Sequence, residues 1–356
     1  MNRTYSKHIC FIGAGLAGGG MERALVTVAN YAASKNYKVT IINLFITDIF
    51  FDLHPDIKLI WPQIDRAKNH RLVYAAKLIP YLRSTIKNIK PDTILSFGEW
   101  FNGYVILATL YIKIPIFVTD RMGPLLNLGF IVENARKILY KRANGIIAQS
   151  EIAAKILANK TKSKKIKVIP NALNQVDVVS PIKKNSIVCV GRLSREKGQD
   201  ILIQAFASIN DKNWKLDIVG DGPTMNNLIA LSKTLKIEDK VIFHGHLKEF
   251  SNILGEAKIF VLPSLYEGFP NALIEAMSVP LACISSNCIA GPSDIIKHGI
   301  NGMLVETGSV DELSKALNIL INNEELQKNM AQEAYSVRKK YDKDIICSQY
   351  IDFILN

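Results

Sequence analysis

Apolar residues in this chain fall in short, nearly continuous runs, and between them lie longer stretches where apolar positions recur with a helical period. In the first half the runs occupy residues 8–13, 39–44, 57–61, 92–97, 114–119, 145–149 and 167–169; in the second, residues 186–190, 214–219, 241–245 and 259–263, with a last one inside 299–305. A run that is apolar at successive positions, rather than at alternate ones, suits a parallel strand covered on both faces. Strands alternating with helices predict a doubly wound α/β architecture. The two series are separated by a polar linker near residues 171–185, so the pattern predicts two domains, residues 1–172 and 178–338, followed by a helical tail to the end of the chain. Between the third and fourth runs, residues 66–90 predict a basic amphipathic helix in which Pro80 would introduce a kink.

Composition narrows the picture. At 356 residues and 48% apolar, the chain can build two ordinary cores and is not a disordered polymer. The net charge of +12 is unevenly shared: residues 1–170 carry 25 basic against 10 acidic residues, and residues 171–356 carry 19 against 22. The first half therefore either faces something anionic, nucleic acid or an acidic membrane, or presents a solvated basic surface. Either outcome suits the helix at 66–90, which includes Arg71, Lys77, Arg83 and Lys87: docking on an anionic surface, or covering the sheet. Five scattered cysteines without a C-x-x-C pair predict a reduced, cytoplasmic chain. The apolar stretch at the N-terminus is short for a signal peptide, and the longest apolar region, residues 104–118, is interrupted by Lys113 and Pro115, so no spanning segment is expected.

Candidate chemistry sits in the loops that follow the strands. Gly13, Gly15 and Gly18 fit the dinucleotide-binding pattern G-x-G-x-x-G, but the next strand ends in Asn43-Leu44-Phe45, without the acid that would hold a ribose. His244 and His246 alternate along one predicted strand but have no third ligand nearby in sequence, and Asp342-Lys343-Asp344 lies in the charged tail; neither predicts a metal site. The sequence EGFPNALIEAM, Glu267 to Met277, follows an apolar run and predicts a helix starting near Phe269 or Pro270, where a missing amide is tolerated. A helix start offers free N–H groups and a partial positive charge that suit a phosphate. Glu267 lies before it and Glu275 about one and a half turns within it. Carboxylates placed there would repel a lone phosphate, yet they could hold hydroxyls on either side of one, a sugar and a ribose. Two solvated glutamates beside an ordinary helix are the alternative.

The E-x7-E spacing of Glu267 and Glu275 resembles the signature of retaining glycosyltransferases of family 4 of the GT-B class. Other stretches resemble that family in the same order: Gly19-Gly20-Met21-Glu22-Arg23, then GRLSREKG with Arg192 and Lys197, then Gly220-Asp221-Gly222-Pro223, and finally residues 290–294 and 299–305. The resemblance implies two Rossmann-like doubly wound domains facing across a cleft, with residues 339–356 packing back on the first. It implies retaining transfer of a hexosyl or N-acetylhexosaminyl unit from a nucleotide-sugar, UDP-linked, to a glycan acceptor, lipid-linked, in bacterial surface polysaccharide assembly. The enzyme would work on the inner face of the cytoplasmic membrane, with no nucleic-acid partner, cofactor or metal. Arg192 and Lys197 would hold the leaving diphosphate, Glu267 the sugar hydroxyls and Glu275 the ribose. Gly268, Phe269 and Asn271 would contact the donor, and Gly19 and Gly20 would let amides approach its diphosphate. Relatives place a histidine near Thr119–Pro124; this chain has none there, which passes an acceptor-side role to Asp120 or Arg121. A nucleotide-sugar epimerase and a non-catalytic basic scaffold are the alternatives.

Overall fold

The computed structural model describes the chain except for residues 1–4, 65–67, 69, 175, 177, 179–181, 210, 212, 248 and 290, and except for the side chains of Arg71 and Leu72. Arg66, Ala290 and residues 180–181 of the polar linker therefore lie outside the described residues. The chain forms two compact units, one of residues 1–172 with 343–356 and one of residues 173–342.

The first unit contains β1 (His8–Gly13), α1 (Gly20–Ser34), β2 (Lys38–Asn43), β3 (Lys58–Ile60), α2 (Arg71–Ile89) and β4 (Thr93–Phe97). It continues through α3 (Glu99–Ala108), β5 (Ile116–Asp120), α4 (Phe130–Leu139), β6 (Gly145–Ala148), α5 (Glu151–Thr161) and β7 (Ile166–Val168). All its strand pairs are parallel, in the order β3-β2-β1-β4-β5-β6-β7. Every residue of β1, β4, β5 and β6 is buried, because helices cover both faces of the sheet.

The second unit has β8 (Ser186–Val190), α6 (Gln199–Ala207), β9 (Lys215–Val219), α7 (Met225–Thr234), β10 (Val241–Gly245), α8 (Ser251–Glu256) and β11 (Ile259–Leu262). There follow α9 (Asn271–Met277), β12 (Ala282–Ser286), α10 (Pro292–Ile295), β13 (Met303–Val305), α11 (Val310–Ile321), α12 (Glu324–Ala334) and α13 (Val337–Lys340). Its sheet is also parallel, ordered β10-β9-β8-β11-β12-β13. In both sheets the order reverses beside the first strand, between β1 and β4 and between β8 and β11, and loops at the carboxyl ends of such strands border a crevice.

The tail is not one helix. It breaks after α13 at Tyr341, whose carbonyl accepts a 2.8 Å bond from Leu173 N, and resumes as α14 (Lys343–Leu355) in the first unit. There Ile346, Cys347, Tyr350, Ile351 and Ile354 are buried in the same core as β1 and α1. Phe353 stacks edge-on against Phe117 at 5.2 Å, over Gly145, where a Cβ would lie only 2.6 Å from the Phe353 ring.

The basic helix α2 covers the sheet: Tyr74, Leu78, Leu82 and Ile86 are all buried. Arg83 donates to the carbonyls of Ala108 at 3.1 Å and Leu110 at 2.6 Å, which places one of its charges on the end of α3. Among the described residues no helix is long and apolar enough to cross a membrane.

Candidate active site

In the second unit, the loops after β8, β9 and β11 interlock through their backbones. A Cβ on Gly220 would lie 1.9 Å from the Gly191 carbonyl, and one on Gly222 would lie 2.2 Å from that of Leu193. The G-D-G-P turn therefore rests directly on the G-R-L segment, and Leu193 N donates to Asp221 O at 2.9 Å. On the other side, Leu265 N donates to Glu196 O at 2.8 Å. Gly198, at φ +64°, would bring a Cβ to 2.3 Å from the Pro263 carbonyl; only glycine allows both that backbone and that approach.

This interlocking brings two sequence-predicted residues together. Lys197 Nζ lies 2.6 Å from Glu267 Oε1, which also accepts from Ser264 Oγ at 2.7 Å. Glu267 is 6% exposed, so its charge depends on these donors, whereas the lysine has three N–H groups and can serve a second anion. Ser264 was not singled out from the sequence; the signal for it is a serine three residues ahead of the glutamate, on the loop leaving β11. Its own backbone is tied down by Ser286 of β12, whose hydroxyl donates to Ser264 O. Arg192, on the same loop after β8, is exposed, and its carbonyl accepts from Gln199 Nε2 at 3.0 Å.

Glu275 is buried in α9, where its Oε1 accepts from Asn174 Nδ2 at 3.1 Å. Asn174, in the segment entering this unit, is a second contact that sequence reasoning missed. The helix starts at Asn271, later than the sequence suggested: Pro270 is its cap, at φ −83° and ψ 74°. Pro270 packs closely on Gly291, where a Cβ would sit 2.5 Å from its ring. Gly268 and Phe269 occupy the turn before it, and the Phe269 ring packs edge-on against Tyr341 at 5.9 Å.

The two histidines do not share a strand. β10 ends at Gly245, in a left-handed conformation at φ +68° with a register shift, so His246 lies beyond it. His244 Nε2 pairs instead with Asp217 Oδ1 at 2.7 Å. Among the described residues no group of three or more His, Cys, Asp or Glu is arranged to hold a metal.

In the first unit, Gly19 caps α1 and Gly20 begins it. A Cβ on Gly19 would lie 2.3 Å from Glu22 Oε2, so the Glu22 carboxylate folds over the helix start. Gly13 and Gly15 are packing glycines, against Leu25 and Thr47. Asp120 and Arg121, expected near an acceptor, are both buried. Asp120 pairs with the Arg136 guanidinium; burial and the Glu99 carboxylate push its carboxyl upward, and the Arg136 cation opposes them. Arg121, 7% exposed, donates to Tyr350 Oη at 2.9 Å and to Asn171 Oδ1, and its guanidinium lies 5.4 Å over the Phe97 ring. Glu99 Oε1 accepts from the amides of Arg121 and Met122, the latter at 2.7 Å, which anchors the loop after β5 to the start of α3.

Doubly wound parallel sheets in two units, each with glycine-shaped loops at its switch point, define a two-domain Rossmann-like α/β fold. The model for glycosyl transferases group 1 matches residues 173–337, and that for glycosyltransferase family 4 matches residues 18–175. The chain belongs to the family 4 glycosyltransferases. It is 28% identical, over 97% of its length and 98% of the relative's, to the GalNAc-alpha-(1->4)-GalNAc-alpha-(1->3)-diNAcBac-PP-undecaprenol alpha-1,4-N-acetyl-D-galactosaminyltransferase of Campylobacter jejuni. It is also 28% identical to the lipopolysaccharide 1,6-galactosyltransferase of Salmonella typhimurium, over 89% of this chain and 90% of the other. Among solved structures, Anabaena HepE in complex with UDP superposes with a TM-score of 0.81 at 19% identity, covering 97% of this chain and 98% of that one, and so shares the fold.

Proposed function

We propose that this glycosyltransferase moves a hexosyl or N-acetylhexosaminyl unit from a UDP-linked donor to a lipid-linked glycan, with retention, in the assembly of a bacterial surface polysaccharide. The observation that carries this reading is the contact of Lys197 with Glu267 at the switch point of the second sheet, with Arg192 exposed on the same loop as Lys197 and Glu275 buried in the adjoining helix. The UDP of the HepE complex and the undecaprenol-linked substrate in the Campylobacter relative's name support the donor and acceptor classes.

In this reading Lys197 and Arg192 stabilise the charge that grows on the departing diphosphate, as preorganised cations do. Glu267 receives sugar hydroxyls; the Gly268 and Phe269 amides and Asn271 orient the sugar and phosphate; Glu275 takes the ribose. Gly19 and Gly20 offer backbone amides to the donor at the start of α1. The acceptor oxygen bonds to the anomeric carbon on the face from which the diphosphate leaves, and a diphosphate oxygen takes the acceptor proton. Arg121 contributes from the interior by holding the loop after β5, and the enzyme works peripherally on the inner membrane face.

The test is incubation with a panel of UDP-, GDP- and ADP-sugars and a lipid diphosphate-linked acceptor, the product anomer being read by NMR. Transfer from a UDP-sugar with retained configuration is expected, changed by less than about tenfold on chelation because the two cations replace a metal. Inversion, or strict dependence on added manganese or magnesium, overturns the mechanism. Transfer only from a GDP- or ADP-sugar overturns the donor.

A further inference from the structure

The amino edge of the second sheet holds a group of side chains that the proposed transfer does not use. β8, β11 and β12 lie side by side, and their starts are tied together: Lys258 N donates to Ser186 O at 3.0 Å and Ala282 N to Lys258 O at 3.2 Å. The residues leading into those strands therefore meet, and α12, which packs on β12, adds a wall. The result is a cavity of about 610 Å³ whose lining includes Lys183, Lys258, Pro280, Ala282, Lys328 and Tyr335. Because the three strands are parallel, this edge is opposite to the loops that carry Lys197 and Glu267.

Among the described residues the carboxylates at this edge serve other lysines: Glu324 pairs with Lys258 at 2.8 Å and Glu256 with Lys184 at 2.5 Å. Lys183 is half-buried and donates instead to the Ala257 carbonyl at 2.7 Å, a neutral acceptor. Burial pulls its amine down to about 8, against an opposing influence from Cys283 of β12. Lys258, Glu324, Lys328 and Tyr335 are the other charged and titratable groups lining the cavity. A neutral amine needs only one N–H for the Ala257 carbonyl and keeps a lone pair. At pH 8 about half of such an amine is neutral, against less than about 1% of an ordinary lysine. A desolvated lysine bordering a cavity of this size has the character of a nucleophile.

We propose that Lys183 is a nucleophilic lysine that takes an acyl group from small acyl phosphates, which makes the amino edge of the second unit a modification site separate from the transfer site. The cavity suits that class of donor: Pro280, Ala282 and the Tyr335 ring offer an apolar wall to the acyl group, and Lys258 and Lys328 offer positive charge to the phosphate. In the step, Nζ forms an amide bond to the acyl carbon while the bond from that carbon to the phosphate oxygen breaks. Phosphate leaves with the electron pair, and the proton of the amine passes to water. No nucleotide-sugar takes part, so failure of this step and failure of the transferase reading are independent.

The experiment is incubation of the full chain with acetyl phosphate from about pH 7 to about pH 10, with acetylation of each lysine followed by peptide mass spectrometry. Lys184 is the internal comparison, since it is adjacent in sequence and exposed. At pH 8 Lys183 is expected to react at least about tenfold faster than Lys184, less than the difference in neutral amine because a less basic amine is a weaker nucleophile. Its rate should level off above about pH 9 while that of Lys184 goes on rising. In urea the two rates should converge. Lys258→Ala with Lys328→Ala should slow acetylation of Lys183 by acetyl phosphate at least about threefold, and change its acetylation by a neutral aryl acetate less than about twofold. The assignment is overturned if Lys183 reacts no faster than Lys184, if its advantage survives in urea, or if the two rates rise together with pH. Acetylation by acetyl phosphate that is unchanged in the double variant, or slowed no more than that by the neutral ester, overturns the acyl phosphate as donor.

Discussion

The carboxyl edges of the two sheets share one topology and use their charges differently. At the edge of the second sheet, Lys197, Glu267 and Arg192 sit on loops locked together by backbone contacts, with Arg192 exposed and the Lys197 ammonium in reach of a further anion. At the edge of the first, Glu99, Asp120, Arg121 and Arg136 are all buried and paired with one another or with neighbouring amides, hydroxyls and rings. A charge that remains partly hydrated can be transferred to a ligand, whereas a buried one is committed, because removing its partner strands the other ion in a medium of low polarity. Charged residues near the carboxyl edges of both sheets therefore point to ligand chemistry in one unit and to packing in the other.

The comparison breaks most readily at Arg121. Arg121→Ala removes the bonds to Tyr350 and Asn171 and the contact with Phe97, and should cost about 3 kcal/mol of stability in urea unfolding, as loss of charged hydrogen bonds in the interior does. Affinity for the nucleotide should stay within about twofold. Unchanged stability together with a raised acceptor KM would place Arg121 on a binding surface and erase the contrast.

At the opposite edge, Lys197→Ala or Arg192→Ala should remove about 2 kcal/mol of transition-state stabilisation, roughly thirtyfold in kcat. Turnover within about threefold of wild type in both variants would take the diphosphate role away from them.

The two glutamates sharpen the picture further. Glu275→Gln should weaken binding of UDP itself about tenfold, while Glu267→Gln should spare UDP affinity and depress turnover, since the proposed partners are ribose and sugar. Calorimetric titration of UDP into both variants separates them; equal losses of affinity contradict the division.

The smallest effect is conformational. Gly198→Ala, which meets both a left-handed backbone and the Pro263 carbonyl, should lower stability by about 1 kcal/mol or more; Gly129→Ala, with a similar backbone sign but open space around it, should lower it less. Equal melting temperatures for the two variants would mean that the loop packing around Lys197 is not as tight as its distances imply.

Which of these features the sequence reveals depends on how far apart the interacting residues lie. The loop motifs G-R-x-x-x-x-K-G and G-D-G-P are legible because each glycine answers to a close approach that recurs whenever those loops pack. Arg121 is not legible: the groups that bury it, Asn171 and Tyr350, come from 50 and 229 residues away. The expectation that His244 and His246 share a face fails at one residue, Gly245, whose left-handed backbone ends the strand between them. For α2 the pattern was ambiguous in principle, since an amphipathic helix has the same period whether its apolar side meets lipid or a sheet.

Continuous apolar runs, the helical period between them and the order of the loop motifs were sufficient to set two parallel doubly wound units and the candidate donor residues, because those signals are local and repeat at every strand. Tertiary structure alone decided which charges stay at the surface, that Ser264 and Asn174 hold the two glutamates, and that the apolar face of α2 is buried against the sheet. Each of those outcomes depends on which distant segment arrives to exclude water from a side chain, and burial of that kind is a property of the packed chain, not of any stretch of it.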